Sequence, residues 1–452
     1  MAAEHLGIRA LDRGGLIAAW AADRAAAVTR ITDNGWGVDS NDVLRGPGGL
    51  TIDLSQCPAG WSDAGPVNEA TVPVTWWVSD YHGPGFDSAL AFLDWLGDDG
   101  LVAGKKIDFS VQAPYSVWDA DYFENNTDEE RQEHQEVNER DVAELAVNAM
   151  AVVGFGEYPG NTGFRDLLDD ACLPSVGRRT ASETERLIDT PWSAPGVNLQ
   201  SAGMARFWAQ FVVDEVPGQR IGVLTFDADW ADSLIAPLLS LGPAAEVVVV
   251  RLDPELPALD TAVDELLPPL DTALDELLAA DLDVIFAVVG GLCPQAAERL
   301  HKVGSDVQLI VSELWCSAPH MFETADGTVG GGMWVLRSNS YLAEEHIRAT
   351  AIGRARLGND EASRFSIGGR SISLPAWQAV QILQIAAELP GGLTRSNIVL
   401  ASWSFEGRHP LQEGPITVTW PDDPTAVDLQ RLFVFDTDQQ RWTPTDTIVG
   451  GG

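Results

Sequence analysis

The sequence predicts an α/β protein with two doubly wound lobes, each a parallel sheet covered by helices. Three observations support this fold class. Apolar runs rich in Val and Ile alternate with helical patterns, the alternation occurs in two separate regions, and 452 residues exceed the length of one ordinary domain. Strands that are apolar on both faces are typical of parallel sheets buried between helices.

The first alternating region begins at Thr71. Its predicted strands cover 71–78, 106–112, 147–155 and 173–176, and its predicted helices cover 86–96 and 129–147. Residues 1–66 precede it and are predicted to form a separate N-terminal arm. The stretch 44–66 is rich in Gly and Pro and has no helical period, which predicts irregular structure there.

The second alternating region follows at residue 201. Its predicted strands are 220–226, 245–252, 281–289 and 307–314, and its predicted helices are 201–216, 230–241 and 294–302. An eleven-residue duplication, 259–269 and 270–280, predicts two short helices broken at Pro268-Pro269.

The pattern changes after Leu314. We predict a strand at 333–339, helices at 341–357 and 373–389, and then a helix and several antiparallel strands that end at a turn over 436–439. The terminal Gly450-Gly451-Gly452 is interpreted as a tail without a structural role.

The charge of the chain argues against nucleic-acid binding. The formal net charge is -39 and there are only three lysines, whereas binding to a phosphate backbone needs clustered Lys and Arg. No stretch approaches the roughly 20 apolar residues of a membrane-spanning helix. The apolar segment Leu16 to Ala22 is short and is followed by charge, so no export signal is predicted within this chain.

Motifs for catalysis and cofactor binding are missing from the sequence. There is no G-x-S-x-G, no H-E-x-x-H and no Walker-type G-K-[ST], and Gly154, Gly156 and Gly160 are spaced one residue too widely for a dinucleotide fingerprint. The seven histidines and four cysteines show no metal-ligand spacing. We therefore predict no enzyme activity, no cofactor and no metal.

The four cysteines leave two alternatives open. Cys57, Cys172, Cys293 and Cys316 allow two disulfides in three connectivities. Four free thiols buried as small hydrophobic residues are the other interpretation.

Polar and aromatic residues follow the carboxyl ends of several predicted strands, at 78–85, 152–163, 224–233 and 311–319. Ligands of open α/β sheets bind outside these ends, so two lobes with such loops are expected to enclose a small molecule. The candidate ligand-binding residues are Ser79, Asp80, Tyr81, His82, Gly156, Glu157, Tyr158, Asp227, Asp229, Trp230, Glu313 and Trp315.

Physical roles can be proposed for most of these residues. Ser79 and the backbone N–H groups of 80–83 are placed to receive a carboxylate at a helix N-terminus. Glu157, Asp227 or Asp229 can pair with an ammonium group. The tyrosines and tryptophans of the set can stack on an apolar or cationic ligand. Several acidic and aromatic groups at one cleft favour a cationic ligand, which is a hypothesis.

The order of segments resembles a known family, the substrate-binding proteins of branched-chain amino-acid-type ABC transporters, which have the type I periplasmic-binding fold. DDGLVAGKKIDFSV (98–111) is similar to the GG-x-x-GRKI segment of that family, and RIGVLTFDADWADSLIAPL (220–238) is similar to its KVAVLYDD strand and helix. LTRSNIVLASWSFEGRHPLQEG (393–414) resembles the tail of one bacterial subgroup. Trp36-Gly37-Val38, Gly46 to Leu54 and Cys57 to Trp61 resemble the N-terminal arm of the same subgroup.

This resemblance implies two Rossmann-like lobes joined by a hinge of three crossings. The implied crossings fall near Thr190-Pro191-Trp192, after Leu314 and near Ala401. The resulting domain boundaries are 1–66 for the arm, 67–190 plus 315–400 for lobe 1, and 191–314 plus 401–449 for lobe 2. The resemblance also implies a disulfide between Cys293 and Cys316, and a second one from Cys57 to Cys172 that ties the arm to the body.

The implied function is capture of an amino acid or similar small polar molecule and its delivery to ABC permease subunits. A member of this family is expected outside the cytoplasmic membrane, as a monomer, with ligand-driven closure of the hinge. The alternative is a ligand-sensing receptor or regulatory domain of the same fold, with an enzyme as a third option because fold does not determine function.

Overall fold

In the computed structural model, the described N-terminal residues before the first large sheet, 13–66, contribute side chains to a hydrophobic core of the protein. The structure describes residues 13–77, 101–112, 128–153, 162–178, 190–195, 201–216, 220–227, 229–242, 245–253, 263–289, 292–312, 333–337, 377–408, 415–418, 429–436 and 441–450. Helix α1 spans Arg13–Asp33, and it is followed by a small antiparallel sheet of β1 (Gly37–Val38), β2 (Val43–Arg45) and β3 (Thr51–Asp53).

The predicted separate arm is therefore wrong for the described part of 1–66. Helix α1 buries Trp20, Ala27 and Ile31 at helical spacing, and these side chains belong to the hydrophobic core that lies on the first large sheet. The Trp20 ring lies 5.7 Å from the ring of Trp377, which is 357 residues further along the chain. Burial of this apolar face keeps the N-terminal segment on the core.

The first large sheet has five parallel strands in the order β5-β4-β6-β7-β8. Its elements are β4 Thr71–Trp77, β5 Lys106–Gln112, α2 Asp128–Asn148, β6 Ala151–Val153, α3 Thr162–Asp170, β7 Ser175–Arg178 and β8 Ser193–Pro195. The alternate residues Val72, Val74 and Trp76 of β4 face the core that holds α1. Val152 faces the opposite side, where Val142 and Leu145 of α2 and Leu168 of α3 cover it.

The second large sheet has seven strands in the order β10-β9-β11-β12-β13-β16-β17. Its elements are α4 Ser201–Glu215, β9 Arg220–Phe226, α5 Asp229–Leu239, β10 Glu246–Leu252, α6 Val263–Ala279, β11 Val284–Val288, α7 Cys293–Lys302, β12 Gln308–Val311, β13 Met333–Arg337, β16 Leu429–Asp436 and β17 Arg441–Gly450. The strands from β10 to β13 are parallel, and β16 and β17 are antiparallel. Gly450 pairs with Leu429, so the first residue of the predicted glycine tail has a structural role.

The remaining described elements pack on the first sheet. Helix α8 has its described residues at 377–388, α9 spans Arg395–Ser402, and the two-residue strands β14 (Glu406–Gly407) and β15 (Ile416–Thr417) pair with each other. The predicted helices at 86–96 and 341–357 and the predicted turn at 436–439, apart from Asp436, lie outside the described residues.

The duplicated segment forms one helix, so the prediction of two short helices was wrong. Helix α6 runs from Val263 to Ala279 and contains both Pro268 and Pro269. Two prolines remove two helix N–H donors. Leu270, Leu274 and Leu277 are fully buried in the core of the second sheet, and burial of a leucine side chain contributes about 1.5–3 kcal/mol. Three such side chains offset the cost of the prolines.

Sheet membership differs from the predicted lobe boundaries at three places. Strand β13 was assigned to lobe 1 but hydrogen-bonds between β12 and β16 of the second sheet. Strand β8 was assigned to lobe 2 but pairs with β7 of the first sheet. Ala401, Trp403 and Phe405 lie in the core of the first sheet although residues from 401 onward were assigned to lobe 2.

The chain therefore passes between the two sheets at other points than predicted. The first passage follows Pro195 instead of lying near 190–192, the second lies between 337 and 377 instead of directly after Leu314, and the third lies between 418 and 429 instead of near Ala401. The reason is physical: a strand joins the sheet in which its backbone finds partners, which are the preceding strand β7 for β8, and the preceding strand β12 together with the distant β16 for β13.

One disulfide joins the N-terminal segment to the first sheet. Cys57 and Cys172 are bonded, with 5.7 Å between their Cα atoms. Cys293 is also disulfide-bonded, which excludes the alternative of four free thiols. Cys316 lies outside the described residues, so its pairing with Cys293 stays a prediction. No helix in the described parts of the chain is long and apolar enough to cross a membrane.

Candidate functional site

The four predicted binding loops all begin at the carboxyl ends of parallel strands. The loops at 78–85 and 152–163 follow β4 and β6, which hydrogen-bond to each other in the first sheet. The loops at 224–233 and 311–319 follow β9 and β12, which flank β11 in the second sheet. Because parallel strands end at the same edge of a sheet, the two loops of each sheet start close together.

Most of the predicted binding residues lie in these loops beyond the strand ends. Outside the described residues are Ser79, Asp80, Tyr81, His82, Gly156, Glu157, Tyr158, Glu313 and Trp315. Their ligand contacts stay predictions. Asp227 is described, and for Asp229 and Trp230 the structure gives the backbone position, at the start of the helix that follows β9.

Strand β9 and helix α5 position this group. Asp227 directly follows β9, and its backbone N–H donates to the carbonyl oxygen of Leu252 at the end of β10, at 2.7 Å. Helix α5 begins at Asp229, so Asp229 and Trp230 are its first two residues. A carboxylate in the first turn of a helix offsets the positive end of the helix dipole. The start of α5 is therefore less suited to bind an anionic ligand group than a helix start without a carboxylate would be.

The Asp227 carboxylate already has a cationic partner. The Arg251 guanidinium donates from Nη1 to Oδ1 of Asp227 at 3.2 Å and from Nη2 to Oδ1 of Asp232 at 2.5 Å. The hydrogen bond to Asp232 raises the pKa of Arg251, so the guanidinium is charged at neutral pH. The Asp227 side chain is 64% exposed, and an exposed ion pair contributes only about 0–1 kcal/mol. Pairing of Asp229 or Glu157 with a ligand ammonium group stays a prediction.

Sequence reasoning missed two buried polar residues near the carboxyl edge of the second sheet. Thr225 and Gln430 are both 0% exposed, and within the described parts of the chain the Thr225 hydroxyl and the Gln430 amide atoms have no hydrogen-bond partner. Thr225 is in register with Val288, and Gln430 with Val449, on the face that α4 covers. The available signal was a polar residue inside an otherwise apolar strand, RIGVLTF in the case of Thr225.

This architecture is the type I periplasmic-binding fold: two α/β sheets, mostly parallel, between which the chain passes three times. Three solved structures illustrate the likeness. A fatty acid ABC transporter substrate-binding protein from Thermomonospora curvata is 14% identical with a TM-score of 0.57, over 86% of this chain and 94% of that chain. A branched chain amino acid ABC transporter protein from Thermus thermophilus with bound valine is 15% identical with a TM-score of 0.58, over 85% and 97%. The branched-chain amino acid transporter substrate binding protein LivJ from Streptococcus pneumoniae, in complex with isoleucine, is 12% identical with a TM-score of 0.57, over 84% and 99%.

These likenesses confirm the predicted fold. No protein-family model matches the sequence, and no curated protein matches it. The ligand chemistry in the titles of the similar structures varies, from a fatty acid transporter to bound valine and isoleucine. The fold is therefore compatible with more than one class of ligand.

Proposed function

We propose that the protein is an extracytoplasmic solute-binding protein. It captures an amino acid or a similar small polar molecule between its two lobes and delivers it to the permease subunits of an ABC importer. The main support is the likeness to ABC transporter binding proteins, which covers most of this chain and nearly all of each similar chain. The role is binding and transport without catalysis.

The site is proposed to lie at the carboxyl edges of the two sheets. Ser79 and the backbone N–H groups that follow it receive the carboxylate of the ligand. Glu157 and Asp229 pair with its ammonium group, and Tyr81 and Trp230 stack against the remainder. Because acidic groups outnumber basic ones in these loops, a cationic amino acid is the preferred ligand class.

The first experiment identifies the ligand directly. Protein purified under native conditions is denatured, and the released small molecules are measured by mass spectrometry against a mock purification. The proposal expects one enriched organic solute at close to equimolar amount. If neither this measurement nor calorimetric titration with amino acids, polyamines and amides detects a ligand, the solute-binding role is wrong.

A second experiment tests the site with matched variants. Calorimetric titration with arginine compares Asp229→Asn with Asp232→Asn, which removes the same charge three residues further along α5, where Arg251 pairs with it. We expect Asp229→Asn to weaken binding at least tenfold, about 1.4 kcal/mol, and Asp232→Asn to change it less than twofold. Tight binding of valine with no response to arginine would overturn the cationic preference and leave solute binding intact.

Two further parts of the proposal concern location and assembly. The disulfide between Cys57 and Cys172 supports a site of action outside the reducing cytoplasm. The protein is proposed to act as a monomer that docks on its permease. Light scattering after size exclusion tests this, and a stable dimer at micromolar concentration would contradict it.

A further inference from the structure

Three buried hydroxyl groups at one corner of the first sheet have no hydrogen-bond partner among the described residues. They belong to Ser175 at the start of β7, Thr190, and Ser193 at the start of β8, which are 1%, 2% and 1% exposed. A buried hydroxyl that leaves water without gaining a hydrogen bond is costly, so single unpartnered hydroxyls are rare and three together need an explanation.

The backbone brings these three residues to one place. Ser175 and Ser193 are register partners on adjacent parallel strands, so their side chains point to the same face of the sheet. The Ser193 N–H donates to the Thr190 carbonyl oxygen at 3.1 Å, which closes a tight turn and keeps Thr190 beside Ser193. The Ser175 N–H donates to the Trp192 carbonyl oxygen at 2.8 Å, which ties this turn to β7.

The same sheet offers an internal comparison. Thr75 and Ser110 are register partners on β4 and β5, as Ser175 and Ser193 are on β7 and β8. Their hydroxyl oxygens lie 2.9 Å apart and hydrogen-bond directly. Neighbouring strands are separated by about 4.8 Å. Two hydroxyls across that spacing can turn toward each other, as Thr75 and Ser110 do, or remain unbonded, as Ser175 and Ser193 do.

We propose that Ser175, Thr190 and Ser193 form an internal binding site for one water molecule. A buried water makes about three hydrogen bonds to otherwise unsatisfied polar groups, and three hydroxyls on neighbouring backbone positions can supply that number. Each hydroxyl can donate or accept, so all three can be satisfied by one water at the same time.

This site lies where the chain leaves the first sheet, and its water would stabilise the turn there. Ser193 opens the last strand before the chain leaves the first sheet after Pro195. The preceding turn is fixed by two more contacts, the Trp192 N–H to Oδ1 of Asp169 at 2.9 Å and the Trp403 Nε1–H to the Pro191 carbonyl oxygen at 2.7 Å. The water adds a third attachment, which holds the side chains of this turn to β7.

A high-resolution crystal structure tests the proposal. The expected result is one ordered water within about 2.7–3.2 Å of at least two of the three hydroxyl oxygens. In crystals of Ser193→Ala this water is lost or displaced. In Ser110→Ala, which removes the directly bonded hydroxyl of the same sheet, it stays in place. A wild-type density map without a water at this corner would overturn the proposal.

Urea unfolding gives an independent test, because the direction in which the urea midpoint shifts distinguishes a site that holds a water from one that holds none. If the water is present, Ser175→Ala and Ser193→Ala each remove one of its hydrogen bonds, and the urea midpoint falls. If the corner is dry, the same substitutions remove a buried unsatisfied group and the midpoint rises. A raised midpoint in both variants contradicts the proposal whatever the crystals show.

Discussion

The disulfide between Cys57 and Cys172 is expected to be a main source of stability for the N-terminal segment. The test is Cys57→Ala, which opens the cross-link and leaves the buried Cys172 side chain in place. The double variant with Cys172→Ala serves as the control for packing. Cys172 has a positive φ of 51°. Alanine has a Cβ atom as cysteine does, so the substitution does not change the backbone strain at this position.

The magnitude follows from the length of the closed loop. The two cysteines are 115 residues apart, and a cross-link over that separation removes about 4.8 kcal/mol of chain entropy from the unfolded state at 25 °C. Measured losses for native disulfides are about 2–5 kcal/mol, so we expect Cys57→Ala to lose 2–5 kcal/mol of unfolding free energy. The double variant should lose only about 1 kcal/mol more, for the lost sulfur packing.

Urea unfolding followed by circular dichroism measures this loss, with wild type and both variants purified without reductant. Neighbouring contacts remain in the variants: Trp61 Nε1–H donates to the Cys172 carbonyl oxygen at 2.9 Å, and the Trp61 and Trp192 rings lie 5.8 Å apart. The folded structure should therefore survive, and the loss should come from the unfolded state. A loss below about 1 kcal/mol in Cys57→Ala would refute the loop-entropy reasoning.

Substitutions at four other positions give distinct results in the same unfolding assay. Gly222→Ala should lose about 1–3 kcal/mol, because a Cβ atom there would lie 2.6 Å from a leucine methyl group and 3.0 Å from an isoleucine side chain; an unchanged midpoint would show that the core adapts. Burial raises the pKa of Asp23, and the nearby charge of Arg408 offsets this only in part. The folded state therefore binds a proton at Asp23 more tightly than the unfolded state, and the free energy of unfolding falls as the pH rises above 3.8. Asp23→Asn should raise the free energy of unfolding at pH 7, and this gain should shrink toward pH 4. A hydrogen bond from Ser55 lowers the pKa of Asp53, so Asp53→Asn should lower the free energy of unfolding at pH 7, and this loss should shrink toward low pH. Thr394→Ala removes the side-chain oxygen that caps α9 and should lose about 1 kcal/mol, with Thr394→Ser as the variant that retains the cap.

The strands were the most predictable part of the fold. The predicted strands 106–112 and 220–226 agree with β5 and β9 in both bounds, because β5 alternates polar and apolar residues and β9 is an apolar run. Helix α2 was predictable in spite of its polarity, since its Glu, Gln and Arg residues favour helix. In all three cases the deciding interactions are local.

The errors occurred where distant residues decide the structure. Nothing near Trp20 in sequence shows that α1 will pack against Trp377. The prolines of α6 indicate a break, and only the buried leucines on the opposite face explain its continuity. The membership of β13 in the second sheet depends on pairing with β16, about 100 residues later.

In the candidate site, too, some features follow from the local sequence and others depend on distant residues. The positions of the binding loops follow from strand order, because ligands of parallel sheets bind beyond the carboxyl ends. The partners of individual side chains do not follow, since Arg251 meets Asp227 only when β10 pairs with β9. Sequence alone therefore predicted the four loops but not the ion pair of Asp227 with Arg251, and ligand binding at these loops stays a prediction.

Asp63 and Arg395 show why the N-terminal segment is better regarded as a layer of the first core than as an appended arm. Burial lowers the pKa of Arg395 to about 10, so the guanidinium remains charged at neutral pH and must be stabilised where it lies. Its Nη2 donates to the carbonyl oxygens of Ala146 and Ala149 at the carboxyl end of α2, where the helix dipole favours a cation. Asp63 contributes its charge and accepts from both the N–H and the hydroxyl of Ser396 at 2.7 Å. Residues 13–66 therefore give this buried cation an attractive charge, Asp63, and give the core the apolar face of α1, so we expect their removal to destabilise the first sheet.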